Sequence, residues 1–307
     1  MANSTLLQLV QQAAGELGIP IPLSVAVNTA LDAVQLYYLI NGLGNDLMRQ
    51  HIWQDLNRQY IVTVSYTTIT GDTVINTSNL TNASSIVGLD TTYGISGAGI
   101  NQACYVQSAP SGATIPLSQP ATSTNTGQTY TLTKVKYTMP TDYDRQIDRT
   151  HWDKTKHWEM LGPETAQQWE WLISGYISTG PRIRYRIFGD YFQIWPFVAS
   201  AETIGFEYIS RYWVFGAGSI DNTPNQQRFT TDTDTCMFPD RLMVNGLKLR
   251  YYDAKGLDST ALQIAYQSEL DIAKANDAGS ATLSFAPRQS GVLITSDNIQ
   301  DSNYGLT

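Results

Sequence analysis

The sequence predicts an α+β fold. We expect a helical bundle built from the N- and C-terminal helices, a central antiparallel β-region with an inserted β-module, and an extended C-terminal arm. Apolar residues recur at helical spacing near both ends of the chain, β-branched and aromatic residues alternate between them, and the last stretch has neither period. The expected parts are the N-terminal helices with the first strand (1–66), the inserted β-module (67–135), the rest of the core (136–280) and the arm (281–307).

The composition favours a folded protein whose surface carries little charge. The chain has 307 residues, and 15% of them are charged, against about 25% in a typical domain. The net charge of -8 argues against general nucleic-acid binding, because phosphates are repelled. Cys104 and Cys236 are too few for a disulfide framework, so we expect two free thiols. We expect no secretory signal and no membrane span.

Two helices are expected at the N-terminus. Residues 4–17 have apolar side chains at helical spacing, with Ser4 as the expected N-cap and Gly18 as the stop. A second helix is expected from Ser24 to about His51, and it is apolar over a wide arc. Strand character then begins at Tyr60.

The inserted β-module is indicated by a change of composition after Gly71. Charged residues are rare between Gly71 and Lys134, and Ser, Thr, Asn and Gly become frequent. The regular β-branched content favours strands, with disorder as the alternative. The expected strands are Thr73–Asn76, Ala103–Gln107, Thr114–Leu117 and Thr129–Val135.

Helical and turn structure is expected to return after Met139-Pro140, with a turn at Thr141-Asp142-Tyr143-Asp144. Gly162-Pro163-Glu164 is expected to open a helix with proline at its first position. Residues 182–195 form the clearest hairpin, turning at Gly189-Asp190, and a strand over 203–214 follows. Two helices then end the core, one starting at Pro239-Asp240 and ending at Gly256, the other capped by Asp258 and ending at Gly279. The following stretch, 280–307, has isolated apolar residues but not enough of them for a core, so we expect it to order only on a partner.

No catalytic, cofactor-binding or metal-binding constellation stands out, so we expect no enzyme and no cofactor. His151 and His157 are six residues apart, on different faces if the segment is helical, and we interpret both as surface or interface groups. Asp232, Asp234 and Asp240 lack the spacing of a calcium loop and are typical of a turn leading into a helix.

The basic residues suggest a contact surface. Arg182, Arg184 and Arg186 share one face of a strand by the period of two, which makes them candidates for the channel or for contacts between subunits. The alternatives are that they pair with acids of a neighbouring subunit, or that Arg184 stacks on Trp195. Further basic residues lie among aromatic side chains: Arg145, Arg149, Lys154 and Lys156, near Tyr143, Trp152 and Trp158.

The order of several short motifs along the chain resembles the order found in the head-to-tail adaptor, or connector, proteins of tailed bacteriophages, mainly short-tailed ones. The motifs cover most of residues 1–66 and 136–280, and residues 71–135 look like a β-module inserted in various phage structural proteins. The main motifs are Trp53-Gln54-Asp55-Leu56, Met139-Pro140-Thr141-Asp142-Tyr143-Asp144-Arg145, Trp152-Asp153, Gly162-Pro163, Tyr185-Arg186-Ile187-Phe188-Gly189-Asp190 and Ala254-Lys255-Gly256-Leu257.

The resemblance implies a structural virion protein, assembled in the host cytoplasm and located in the neck between head and tail. It implies a ring of subunits, usually a dodecamer, between the portal protein and a tail tube or nozzle protein. Genomic DNA passes through the channel without specific binding, and no membrane is involved. The C-terminal segment is expected to dock on the portal through Phe285, Val292, Leu293 and Ile294. The alternative is a carbohydrate- or surface-binding virion protein that acts through the β-module.

Overall fold

The fold is mixed α+β, as the sequence predicts. A computed structural model describes residues 3–174, 182–220 and 223–277. Within these residues, five α-helices accompany four antiparallel sheets. The helices are α1 (Leu6–Leu17), α2 (Leu31–Gln50), α3 (Ala166–Ile173), α4 (Asp240–Lys255) and α5 (Thr260–Asp277).

The N-cap of α1 is Thr5 rather than the expected Ser4. The Thr5 hydroxyl accepts from the Gln8 backbone N–H, and the Gln8 side chain accepts from the Thr5 N–H, which completes a capping box. Ser4 instead donates its backbone N–H to Asp240, at 3.0 Å. Gly18 ends the helix in the left-handed conformation, as expected.

The helix α2 begins seven residues later than the sequence predicts. Residues 24–30 are not helical. Asp232 accepts hydrogen bonds from the backbone N–H groups of Val25 and Ala26, at 2.9 and 2.8 Å, and Asn28 accepts from the Ala30 N–H within the same segment. The Asp232 carboxylate therefore anchors this segment to a distant part of the chain.

The four long helices share one core. The helices α1, α2 and α5 each pack on α4, together with a short sheet formed by β15 (Val214–Phe215) and β16 (Thr235–Cys236). Trp213 is fully buried there, against Phe229 and Phe238. Leu6, Leu9, Val10, Leu36, Ile40, Leu43, Leu247 and Leu270 supply much of the remaining apolar contact.

Residues 66–134 form a six-stranded sheet with a core of its own. Its strand order is β5-β4-β7-β2-β3-β6, and its longest pair joins β2 to β7. The strands are β2 (Tyr66–Thr73), β3 (Asn79–Thr81), β4 (Tyr93–Gly97), β5 (Cys104–Tyr105), β6 (Ile115–Pro116) and β7 (Asn125–Lys134). The expected strand at Thr73–Asn76 is wrong, because β2 ends at Thr73 and Asn76 has a turn conformation with φ of 64°.

Another antiparallel sheet joins strands from three separate parts of the chain. Its order is β1-β14-β10-β11, and β9 also pairs with β14. The strand predicted over 203–214 is interrupted, because β14 ends at Ser210 and β15 begins at Val214. The strands are β1 (Asn57–Thr63), β9 (Tyr143–Gln146), β10 (Trp152–Asp153), β11 (Trp158–Glu159) and β14 (Thr203–Ser210). Short strands joined by turns therefore occupy residues 143–159, where the sequence predicts helical and turn structure, because β9 and β10 pair with β14 and β11 pairs with β10.

The predicted hairpin is confirmed, and a third strand extends it. The strand β12 (Arg184–Phe188) pairs with β13 (Tyr191–Trp195) around Gly189, and β13 also pairs with β8 (Lys136–Thr138). Tyr185, Phe192 and Ile194 are buried on the core face, as the alternation predicts.

The expected start of α3 is wrong. Thr165 caps the helix with a capping box to Gln168, so Pro163 lies outside it. Glu164 is held by the hairpin instead, since its N–H donates to the Tyr185 carbonyl and its carboxylate pairs with Arg184. Two other expected helix ends agree with the structure: Gly256 ends α4 in the left-handed conformation, and Asp258 accepts from the Thr260 N–H at the start of α5. The expected end of the last helix at Gly279 lies outside the described residues.

Candidate contact surfaces

The three hairpin arginines have different surroundings. Arg184 forms an ion pair with Glu164 of its own chain, with 2.6 Å between Nη1 and Oε1, so this guanidinium already has an acidic partner. Arg186 lies over the Phe188 ring, 4.8 Å from its centroid. Arg182 is exposed and precedes β12. Only Arg184 and Arg186 therefore share a strand face.

The outer face of the hairpin sheet carries a short basic row. The pairing of β12 with β13, and of β13 with β8, places Arg186, Gln193 and Lys136 side by side. They line a groove of about 260 Å³ together with Glu170. Lys136 lies over the Tyr105 ring at 5.4 Å. The groove combines cations, an acid and aromatic edges, which suits a protein contact better than a phosphate.

A second groove lies over the sheet formed by β1, β14 and β10. It has a volume of about 600 Å³, and Arg149, Trp152, Lys154 and His157 are among its lining residues. The structure thus brings together two of the four basic residues that the sequence singles out near Trp152. The groove also contains Glu207, so its charge is mixed.

Three of those four basic residues have acidic partners within the chain. Arg145 pairs with Asp144 at 3.1 Å, Arg149 with Glu159 at 3.7 Å, and Lys156 with the buried Glu202 at 2.5 Å. These pairs reduce the positive potential that a phosphate backbone would meet. The basic and aromatic residues do not form one continuous phosphate-binding surface.

Three of the described helices carry large apolar side chains that are exposed to solvent. On α2, Leu31 and Tyr38 lie two turns apart and are 79% and 70% exposed. On α3, Trp171 is 58% exposed. On α5, Ile264 and Ile272 are 69% and 52% exposed and line a shallow groove of about 780 Å³. We call the first and the last of these surfaces the α2 face and the α5 face.

His151 is buried, which corrects its interpretation as a surface or interface group. It precedes β10 in a β-region rather than in a helix, and it is 1% exposed. Its ring stacks on Tyr185 and Phe206, with centroids 4.0 and 4.6 Å away. Burial lowers the pKa of His151 to about 4, and Asp148 opposes this only weakly. His157, by contrast, is exposed.

The aspartates near residue 234 bind backbone groups, as the turn interpretation predicts. Asp234 accepts from the N–H groups of Thr230 and Thr231 at 2.7 and 2.8 Å, and Asp240 accepts from Ser4. Although burial acts in the opposite direction, hydrogen bonds from Thr231 and Thr230 hold the pKa of Asp234 below its ordinary value. Within the described ranges, no group of three His, Cys, Asp or Glu residues is arranged to hold a metal ion.

A third groove was missed by sequence reasoning because its residues are far apart along the chain. It has a volume of about 590 Å³ and lies between α2 and the loop that follows β15. Its lining residues are Asn45, Arg211, Tyr212, Asn225, Gln226, Gln227, Arg228 and Thr230. No local spacing connects the two arginines, so no motif could have indicated this groove.

The remaining expectations fall partly outside the described chain. Phe285, Val292, Leu293 and Ile294, assigned to portal docking, lie outside the described residues. Cys104 and Cys236 are both free and buried, and burial raises the pKa of Cys236 to about 12. Over the described helices, none combines the length and apolar character needed to cross a bilayer. No family model matches the chain, and no curated protein matches it.

Proposed function

We propose that this chain is a structural virion protein of a tailed bacteriophage, a head-to-tail adaptor. Copies form a ring, a dodecamer by analogy with the family, between the portal and the tail tube or nozzle, and the ring lines the channel for genome passage. The helices at the two ends of the chain form a bundle, residues 67–135 form an inserted module, and an extended arm from 281 docks on the portal. The order of motifs along the sequence supports this proposal.

The observation that carries the proposal is the presence of two separate apolar faces on one acidic chain. A closed ring with head-to-tail contacts needs two different surfaces on each subunit, one for each neighbour. The α2 face and the α5 face are two such surfaces, since each offers large apolar side chains at helical spacing. Exposed apolar side chains that share one helix face are candidates for a protein contact.

The negative net charge and the paired basic residues support a channel wall that binds DNA only weakly. The chain carries a net charge of -8, and most basic residues near Trp152 are paired with acids. A channel lined in this way would attract few phosphates, so DNA could slide through it.

The test is assembly of the full-length protein with the portal protein of the same phage. We expect rings in electron micrographs of the mixture, and a Leu31→Asp variant should weaken assembly by about tenfold or more, because a charge would be buried in the contact. Val87→Asp is the matched control, because Val87 is 89% exposed but lies in the module rather than on a helix. Failure of the wild-type protein to assemble with the portal would refute the proposal.

The carbohydrate-binding alternative receives less support from the module. Binding of sugars usually needs an exposed aromatic platform. The large exposed apolar residues of 67–135 are Val74, Ile75 and Val87, and the one large exposed aromatic residue of the six-stranded sheet is Tyr66, at the start of β2. Glycan binding by a fragment of residues 67–135 would favour the alternative over the adaptor.

A further inference from the structure

The groove that contains Arg211 and Arg228 has an excess of hydrogen-bond donors. Neither guanidinium has a carboxylate partner among the described residues, and no carboxylate lines the groove. Arg228 is exposed, whereas Arg211 is half-buried. Arg211 donates from Nη2 to the Thr141 carbonyl, and its buried Nε has no hydrogen-bond partner in the described chain. A guanidinium has five donors, so most of those on Arg211 remain free.

The amide side chains reinforce this excess of donors. The Oδ1 atom of Asn45 accepts the indole N–H of Trp213 at 3.2 Å, and an indole nitrogen can only donate. The amide orientation of Asn45 is therefore fixed, and its Nδ2 group is what remains for a ligand. Asn225 is held by the loop, since it accepts from the Gly216 N–H and donates to the Ala217 carbonyl.

Two guanidinium groups and an amide N–H₂ around a polar groove form a suitable site for a planar oxyanion. Arginine binds carboxylates and phosphates through paired, charge-assisted hydrogen bonds. The buried Nε of Arg211 is the donor whose missing partner is costly, because the donors that face the open groove can bind water. The acidic lining that would supply this partner within the chain is missing from the described residues.

We propose that this groove binds a carboxylate supplied by a second copy of the chain. The inference rests on the proposed ring, and it adds a polar contact to the apolar ones. The source follows from charge: the chain has 27 acidic and 19 basic residues, so every neighbour offers an excess of carboxylates. Asp55, Glu170 and Asp253 are exposed and have no ion pair within the described chain. The competing ligand is a phosphate of DNA, which the titration described below distinguishes from a carboxylate.

The test compares two arginine variants of the full chain. Arg228→Gln removes a guanidinium from the groove. Arg241→Gln is the matched control, because Arg241 is also exposed but pairs with Glu16 outside the groove. Glu16 still pairs with Lys248 when the Arg241 guanidinium is removed. We expect Arg228→Gln to weaken ring assembly by about tenfold, measured by mass photometry with portal present, and Arg241→Gln to leave it unchanged. Equal assembly of the two variants would overturn the proposal.

A second measurement tests ligand binding in the groove independently of ring assembly. Isothermal titration calorimetry of the wild-type chain should show binding of hexaglutamate and no binding of a short oligothymidylate. The Arg228→Gln variant should no longer bind hexaglutamate. Preferential binding of the oligonucleotide through Arg228 would overturn the carboxylate assignment in favour of phosphate. Binding of neither probe would refute the site. A chain that forms no ring but binds hexaglutamate through Arg228 would refute the adaptor proposal and the second copy as the source, and would keep the carboxylate site.

Discussion

Acidification should destabilise this protein well before its carboxylates titrate, because of one histidine. His151 is 1% exposed, it stacks on Tyr185 and Phe206, and neither ring nitrogen has a hydrogen-bond partner among the described residues. A charged imidazolium there would be stripped of water without compensation. Burial accordingly lowers the pKa of His151 from 6.5 to about 4 in the folded state.

The sign and size of the effect follow from linkage. The histidine is a base whose pKa is depressed by folding, so between pH 6.5 and 4 the unfolded chain binds a proton that the folded chain does not. Its contribution to stability is complete above pH 6.5 and is lost as the pH falls. The difference in pKa corresponds to about 3 kcal/mol in full, of which about 2 kcal/mol is lost by pH 5.

The assay is urea unfolding followed by tryptophan fluorescence at pH 7, 6 and 5. We expect the free energy of unfolding of the wild type to fall by about 2 kcal/mol over this range. His151→Phe should keep the stacked core, remain within about 1 kcal/mol of the wild type at pH 7, and lose most of the pH dependence.

His157→Asn serves as the control, because His157 is exposed at a positive φ of 58° that asparagine tolerates. This variant should follow the wild-type pH curve. If His151→Phe also follows that curve, the reasoning about the buried ring is wrong.

Three further predictions concern packing, anchoring and the arm. Gly44→Ala should destabilise the protein by about 2–4 kcal/mol in urea unfolding, because the new Cβ would lie 2.1 Å from the buried Trp213 ring. Gly15→Ala is the control and should be neutral or stabilising, because the nearest neighbour of its new Cβ is 3.9 Å away. Equal effects of the two substitutions would contradict the packing argument. Asp232→Ala should cost about 1–3 kcal/mol by leaving two backbone N–H groups without their acceptor, which a thermal melt would reveal. Deletion of residues 280–307 should leave the melting temperature nearly unchanged and abolish portal docking in a pull-down; a large loss of melting temperature would instead place the arm in the core.

The local features of this fold could be predicted from the sequence because neighbouring residues determine them. Helical spacing located α1, α4 and α5, and Gly18 and Gly256 marked helix ends, since glycine tolerates the left-handed conformation. The turn at Gly189 and the alternation beside it gave the hairpin and its buried face.

Much of the rest depends on residues that meet only after folding. Asp232 accepts hydrogen bonds from Val25 and Ala26, at the start of a segment expected to be helical, although it lies 207 residues away from Val25 along the chain. His151 reads as a surface group from its polarity, yet aromatic rings from β12 and β14 enclose it. The pairing of Arg184 with Glu164 depends on the same kind of distant contact.

The sequence by itself determined which segments are helix and which are strand in most of the chain, because backbone preferences and periodicity act over a few residues. The tertiary structure alone decided which charges are paired, which apolar faces stay exposed and where Arg211 and Arg228 converge. Burial and charge pairing depend on distances in space, and these are set by the packing of elements far apart along the chain.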